Sequence, residues 1–383
     1  MYTGETMVPS VPSSLALRLG IVLSAIGAAA GIVDDGGMSD KLHILDETPE
    51  QLKTWFGDRG LPGYRAAQTR KWIFDRRAAD FGEMTDLPAK LRDELYQHFT
   101  ILSAEVADAN VADDGSRKLL LRLHDGQTIE CVLLRDDRGN YTACLSTQVG
   151  CAMGCVFCAS GLDGVARNLT SGEIVEQMMQ LQRLLDGDKR ISRVVVMGMG
   201  EPLANLDSLL AALDVVSARD GFGISARRIT ISTVGLPKGI RQLARANCQY
   251  HLAVSLHAPT DQLRNELVPA NRKIGIAAIL AAADHYFQQT GRRVTFEYVL
   301  LGGVNDRPQH ARELVELMQG RPVLVNLIPF NPVPELPYET PSSLSTANFV
   351  EILHGGGISV KIRYRKGERI GAACGQLRRR NMS

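Results

Sequence analysis

Beyond residue 140 the chain alternates between two hydrophobic rhythms, and this alternation constrains the fold more than any other feature. Apolar runs near 141–146, 193–198, 227–232, 250–256, 293–300 and 322–328 are short and mostly continuous, as in strands buried on both faces. Between them, segments such as 172–185, 207–218 and 277–289 repeat apolar residues at helical spacing. Strand followed by helix, six times over, predicts an α/β fold whose parallel sheet curls into an incomplete (β/α)6 barrel. In parallel barrels the working residues collect at the C-terminal ends of the strands. The polar and glycine-rich oddities of this half fall there: a cysteine loop after the first run, Gly198-Met199-Gly200-Glu201-Pro202 after the second, Ser232 at the third, Ser255-Leu256-His257 at the fourth and Asn331 after the sixth.

Ahead of the barrel, residues 38–100 read as a small helical domain. Thr48-Pro49-Glu50-Gln51 supplies an N-cap, a proline at the first helical position and a Gln to close a capping box. A second helix over 64–77 carries Tyr64, Trp72 and Ile73, with Arg65, Arg70, Lys71, Arg76 and Arg77 between them. A third follows Pro88, with Leu91, Leu95 and Phe99 on one stripe. The basic residues are either solvated positions or a nucleic-acid contact, and the pattern leaves both open. Residues 101–140 form a β-hairpin extension: Leu119, Leu121 and Leu123 alternate, Asp125-Gly126 turns the chain, and Ile129, Cys131 and Leu133 alternate again. Glu130 therefore points away from the Cys131 face. Residues 141–383 make the barrel and a C-terminal segment.

The 383 residues carry a formal net charge of +1, which gives no general affinity for polyanions, although Arg363, Arg365, Lys366, Arg369 and Arg378 to Arg380 make the C-terminus basic. Seven cysteines, odd in number and clustered, exclude a secreted disulfide scaffold and suit metal-binding or catalytic thiols in a reducing compartment. Residues 15–33 look like the apolar region and small-residue end of a signal peptide. The uncharged run from Leu19 to Val33 is short for a membrane span. The expectation is an extension over 1–37 ahead of a true start at Met38, with a cytoplasmic protein and no membrane attachment.

The stretch CLSTQVGCAMGCVFCASG holds four of the cysteines, three of them (Cys151, Cys155 and Cys158) in a C-x3-C-x2-C spacing. Three thiolates on one loop can wrap a single metal centre. Structural zinc prefers four closed ligands, and no fourth Cys or His lies nearby in the loop. Three thiolates on a four-iron cluster leave one iron open to a ligand. The small residues of GMGEP allow a close backbone approach to such a ligand. Taken singly, a Gly-Met-Gly is a turn, and Cys144, Cys374, Cys131 and Cys248 are small buried apolar residues.

Together, CLSTQVGCAMGCVFCASG, RNLTSGEIVEQ, GMGEP, SLHA, NLIPFNP and AACGQL resemble the radical S-adenosylmethionine (SAM) adenine-C2 RNA methyltransferases of the RlmN type, and their relative Cfr, over roughly residues 45–380. The resemblance implies a [4Fe-4S] cluster on Cys151, Cys155 and Cys158. It implies SAM contacts from Gly200, Glu201, Ser232, Ser255, Leu256, His257 and Asn331. Cys374 becomes the methyl-carrying cysteine, Cys144 its partner and Glu130 the proton acceptor. In such enzymes one SAM methylates the carrier cysteine and a second gives a 5′-deoxyadenosyl radical. The methyl-derived radical then adds to C2, and the protein–RNA adduct is released by thiol exchange that leaves a disulfide. The implied partners are 23S rRNA, transfer RNA and an electron donor such as flavodoxin, with the enzyme a monomer. Two departures stand out: the loop from Glu130 to Cys144 is one residue longer than the pattern, and Gly371 replaces a frequent Asp. Competing readings are a Cfr-type enzyme methylating C8 and a non-catalytic iron–sulfur RNA-binding protein. The latter has no use for Cys144 and Cys374.

Overall fold

The structure, a computed structural model, describes residues 41–246, 249–363 and 370–379. The leader-like segment 15–33, Cys248 and the basic residues Arg365, Lys366, Arg369 and Arg380 lie outside them. Helix α1 (Pro49–Gly57) begins with the expected reciprocal cap: the Gln51 amide donates to Thr48 Oγ1 at 3.2 Å and the Thr48 amide to Gln51 Oε1 at 2.8 Å. Two first-turn amides are thereby satisfied. Helices α2 (Tyr64–Phe74) and α3 (Ala89–His98) follow, and Leu52, Phe56, Ile73, Leu91, Leu95 and Phe99 form the buried stripe.

Helix α2 differs from its expected extent and role. It stops before Arg77, which takes a left-handed φ of 61°. The Arg77 guanidinium donates to the carbonyls of Gln182, Leu185, Gly187 and Lys189 at 2.6 to 3.3 Å. Arg70 is buried and reaches Asp220 at 2.7 Å. These cations are therefore staples to the barrel, not solvated positions. Tyr64, expected on the apolar face, is 60% exposed.

Strands β1 (Leu42–His43) and β2 (Phe99–Thr100) form a short parallel pair. Strands β3 (Glu105–Val111), β4 (Arg117–Arg122) and β5 (Thr128–Arg135) are antiparallel and continue into β6 (Tyr141–Cys144). Strands β7 (Gln148–Gly150) and β8 (Val165–Asn168) pair at the base of the cysteine loop. Next come β9 (Ile191–Val196), β10 (Ile229–Thr233), β11 (His251–Ser255), β12 (Thr295–Leu300), β13 (Leu324–Pro329) and β14 (Ser359–Ile362). The large sheet runs β14-β13-β12-β11-β10-β9-β6-β5-β4-β3, parallel from β14 to β6. The helices alternating with these strands are α4 (Ser171–Arg183), α5 (Leu206–Ser217), α6 (Pro237–Arg245), α7 (Asp261–Leu267), α8 (Ile276–Thr290), α9 (Pro308–Met318) and α10 (Ser343–Gly355).

The fold is thus the expected mixed α/β architecture with two strands added to the large sheet, besides the two short separate pairs. β3 makes the hairpin three-stranded, and β14 adds a seventh parallel strand. Both are short on buried apolar residues, so neither gives a continuous hydrophobic run. The sheet is strongly curled. Arg363, just past β14, donates to Met197 Sδ, just past β9, at 3.3 Å. Five strand spacings on a flat sheet would hold those edges roughly 24 Å apart. Among the described residues no helix is long and apolar enough to cross a membrane.

Candidate active site

The cysteine loop closes because its base is glycine. Gly150 has φ 80°, and a Cβ there would lie 2.0 Å from the Gly164 carbonyl oxygen. The Cys151 amide donates to that same oxygen at 2.8 Å, and the Val156 amide to Leu267 O on α7 at 3.1 Å. Cys151, Cys155 and Cys158 face one cavity together with Gly200, Glu201, Ser232, Ser255, His257, Asn331 and Cys374. Burial pushes the Cys151 thiol up to about 11 and raises those of Cys155 and Cys158, so a metal centre must displace their protons on binding. Among the described residues no three His, Cys, Asp or Glu side chains converge to hold a metal ion. A polynuclear cluster takes each thiolate on a different metal atom, which suits three spaced thiols. Across the cavity, Asn331 Oδ1 is buried without a hydrogen-bond partner, an acceptor left for a ligand. The residues fit a cluster with an attached polar ligand.

The rim is held from behind. Gly200 has φ 101°, and a Cβ there would lie 2.7 Å from Gln148 Cβ. The Glu201 amide donates to Gln148 Oε1 at 2.8 Å. The Glu201 carboxylate accepts from Thr233 Oγ1 at 2.6 Å, the Val234 amide at 2.7 Å and the Leu203 amide at 3.0 Å. It therefore ties the end of β9 to the end of β10, and burial raises its pKa. Ser232 Oγ donates to Glu297 Oε2 at 3.0 Å and lies 3.4 Å from Ser255 Oγ. His257 adopts φ 63°. Its Nδ1 accepts the Val299 amide at 3.0 Å, which assigns the ring proton to Nε2. Burial, with Arg264, pushes the ring down to about 3, so it is a neutral donor. Phe157 meets it edge-on at 4.7 Å. Leu256 is fully buried in the core and contributes packing beside the rim.

Cys374 rides on a strap, residues 370–379, sewn across the cysteine loop. The Ala159 amide donates to Gly375 O at 2.8 Å, Ser160 Oγ to Leu377 O at 2.6 Å and Asn331 Nδ2 to Cys374 O at 2.9 Å. Arg378 anchors its end on Asp163 and Glu335. Cys144 is buried and does not line the cavity. Burial and the Cys374 charge push its thiol up to about 12, opposed by Arg363 and the Met197 amide. All described cysteines are free. Cys131 is fully buried. Glu130 is brought to the strap but not to the same cavity. It borders a neighbouring polar cavity, where its Oε1 pairs with Lys118 Nζ at 2.9 Å and its Oε2 accepts the Arg378 amide at 3.0 Å.

Residues 145–317 match the model of the Radical SAM superfamily, and residues 42–101 match that of the Ribosomal RNA large subunit methyltransferase N-terminal domain. The probable dual-specificity RNA methyltransferase RlmN of Rhodopirellula baltica is 59% identical over 339 residues, covering 88% of this chain and 91% of that protein. Its Bacillus subtilis counterpart is 44% identical over 86% of this chain and 91% of its own length. Among solved structures, a radical SAM methyltransferase from Sphaerobacter thermophilus superposes with a TM-score of 0.85 at 43% identity, covering 88% of this chain and 99% of that one. The chain belongs to the RlmN family of radical SAM RNA methyltransferases. It is accordingly an enzyme with RNA as its substrate, and its superfamily implies a [4Fe-4S] cluster and SAM.

The RlmN-family site also contains residues that sequence reasoning passed over. Glu297 is a carboxylate in the middle of an apolar strand, and Arg363 lies 3.7 Å from its Oε1. Lys118 shares a face of the hairpin with Glu130, two positions diagonally across the β4–β5 register. Glu297 was legible as the one charge in its strand, whereas Lys118 is one of three basic residues in β4 and gave no such signal. Lys118 Nζ also donates to Gly371 O at 3.1 Å. A Cβ on residue 371 would stand 3.4 Å from that nitrogen, so a carboxylate at this position would meet Lys118. Here a backbone carbonyl does.

Proposed function

We propose that this enzyme methylates C2 of adenine in 23S rRNA and in transfer RNA, using Cys374 to carry the methyl group and Cys144 to release the product. The observation that supports this most is the strap. It sets a fourth thiol, Cys374, on the wall of the cavity that the three loop thiols line, close enough to a fifth, Cys144, for the two to interact by charge. A binding protein has no need of either.

Cys151, Cys155 and Cys158 are the proposed cluster ligands, and Gly200, Glu201, Ser232, Ser255 to His257 and Asn331 form the SAM site. When bound, the cluster and two SAM molecules per turnover supply a methyl group and a radical able to take hydrogen from it. Glu201 orders the rim, while His257 and Asn331 offer a neutral donor and a free acceptor to a zwitterionic ligand. Carbon C2 of adenine is electron-poor, so the methyl group must arrive as a carbon radical on the Cys374 sulfur. Glu130, ion-paired with Lys118, takes the C2 proton. Once the adduct has returned its unpaired electron to the cofactor, Cys144, as thiolate, would attack the Cys374 sulfur: the S–C bond breaks, an S–S bond forms, and the freed methylene carbon takes up a proton and leaves as the product methyl. Arg363 favours that thiolate. Residues 38–100 contact the RNA, a flavodoxin-like protein donates electrons, and the enzyme works as a cytoplasmic monomer.

The test is anaerobic turnover of the reconstituted enzyme on rRNA fragments and tRNA, with nucleoside mass spectrometry and NMR. 2-Methyladenosine that is lost in Cys374→Ala while iron is retained is the expected result. 8-Methyladenosine would move the enzyme to the Cfr reaction, and SAM cleavage unaffected by RNA with no methylated base would defeat the proposal.

A further inference from the structure

A buried cation lies behind the cysteine loop, and among the described residues no anion is paired to it. Arg264 on α7 is 0% exposed. Its guanidinium donates to Val234 O at 2.6 Å, Leu256 O and Ser255 O at 2.9 Å, and Asn271 Oδ1 at 2.5 Å. All four acceptors are neutral. Asp261 partly offsets the Arg264 charge but is not in ion-pair contact with it: Asp261 Oδ1 accepts the Asn271 side-chain amide at 2.8 Å. Dipoles alone compensate a buried charge poorly, so such a cation calls for an anion.

The geometry indicates which anion. Helix α7 is the element that backs the cysteine loop: the Val156 amide bonds Leu267 O, and Leu263 and Leu267 pack in one cluster with Met153, Cys155 and Cys158. Arg264 sits between those two leucines in the chain. Two of its carbonyl partners belong to Val234 and Ser255, which line the cavity. The Arg264 charge also favours the Cys155 thiolate.

We propose that Arg264 is a positioning residue for the cluster, holding the ends of β10 and β11 by their carbonyls while its charge is neutralised by the thiolate-ligated cluster on Cys151, Cys155 and Cys158. This rests on the cluster-ligand reading of those cysteines. Two couplings follow. Cluster loading and Arg264 burial stabilise each other, because each supplies the other's counter-charge. The fixed cation also raises the reduction potential, since reduction adds one negative charge beside it.

The experiment measures melting temperature with and without the reconstituted cluster, and the cluster potential by EPR-monitored titration, in wild type, Arg264→Lys and Arg264→Gln. Lysine keeps the charge and loses carbonyl bonds, whereas glutamine keeps donors and loses the charge. The expected result is a smaller gain in melting temperature on loading and a more negative potential in Arg264→Gln, with Arg264→Lys close to wild type in potential even if less stable. Equal loading gains and equal potentials in all three would reduce Arg264 to a structural staple and overturn the proposal. Should Arg264→Gln not fold, Asp261→Asn serves. Removing the anion that partly offsets Arg264 should move the potential in the positive direction, and no movement overturns the proposal. A wild-type chain that takes up no iron would instead defeat the ligand reading itself.

Discussion

Cys151, Cys155 and Cys158 occupy a single loop between β7 and β8, whereas Cys144 and Cys374 come from the first parallel strand and from the strap at the far end of the chain. The first set depends on local geometry: one glycine to close the loop, and one helix to back it. The second exists only because the sheet curls until the segment after β14 meets the segment after β9. Their electrostatics differ as well. Burial dominates both sets, but Cys144 lies in addition between the opposing charges of Cys374 and Arg363. A local set can bind a cofactor without the distant set, and the distant set has chemistry only when the whole barrel is formed.

The sharpest way to break that contrast is to remove a loop ligand. Cys155→Ala should lose essentially all iron and all SAM cleavage, read by iron assay and by 5′-deoxyadenosine release. Iron retained at the wild-type level would mean the three thiols are not one ligand set. A smaller effect probes what holds the strap. Lys118 and Glu130 have side chains only 3% and 2% exposed, so Lys118→Met removes one half of a buried ion pair. That should cost about 3–5 kcal/mol in denaturant unfolding, with part recovered in the Lys118→Met/Glu130→Gln double variant. No recovery would mean the two side chains are not coupled.

The smallest predicted effect concerns pH and the rim. Folding holds the His257 ring at about 3, against about 6.5 in the unfolded chain. Between those values the unfolded chain binds a proton that the folded chain refuses, so stability falls as pH drops below about 6.5. The slope from this group approaches about 1.4 kcal/mol per pH unit. In His257→Asn the new residue tolerates the left-handed backbone and offers Oδ1 to the Val299 amide. The metal-free variant should therefore lose less stability than wild type from about pH 6 to about pH 4. Identical slopes would show that His257 is not the titrating group.

Much of this was legible in the sequence because the evidence is periodic or local. The x3/x2 cysteine spacing, the Thr48 capping box and the strand–helix rhythm each occupy a few contiguous residues, and each appears where expected. Strand β14 escaped because SVKI follows a glycine run and buries little. Strand β3 escaped because EVADANV carries two acids at the sheet edge. Arg70 and Arg77 read as surface cations because sequence records charge and not the carbonyls and carboxylate that tertiary packing brings to them. Lys118, Glu297, Arg363 and Arg264 act across elements distant in the chain, where no spacing rule operates. The bonds of the Glu201 carboxylate to Thr233, Val234 and Leu203 likewise depend on packing between β9 and β10 that the GMGEP motif does not record.

The most direct measurement of the two-set account is the fate of the RNA in Cys144→Ala. This variant keeps the loop ligands and the carrier thiol and lacks only the thiol that attacks the Cys374 sulfur. After anaerobic turnover it should carry RNA linked covalently through Cys374. The linkage should appear as a nuclease-sensitive shift on a denaturing gel and as a nucleotide-modified Cys374 peptide by mass spectrometry, and it should vanish in Cys144→Ala/Cys374→Ala. Normal release of methylated RNA by Cys144→Ala, or the same adduct in the absence of Cys374, would contradict the division of labour between the two sets of thiols.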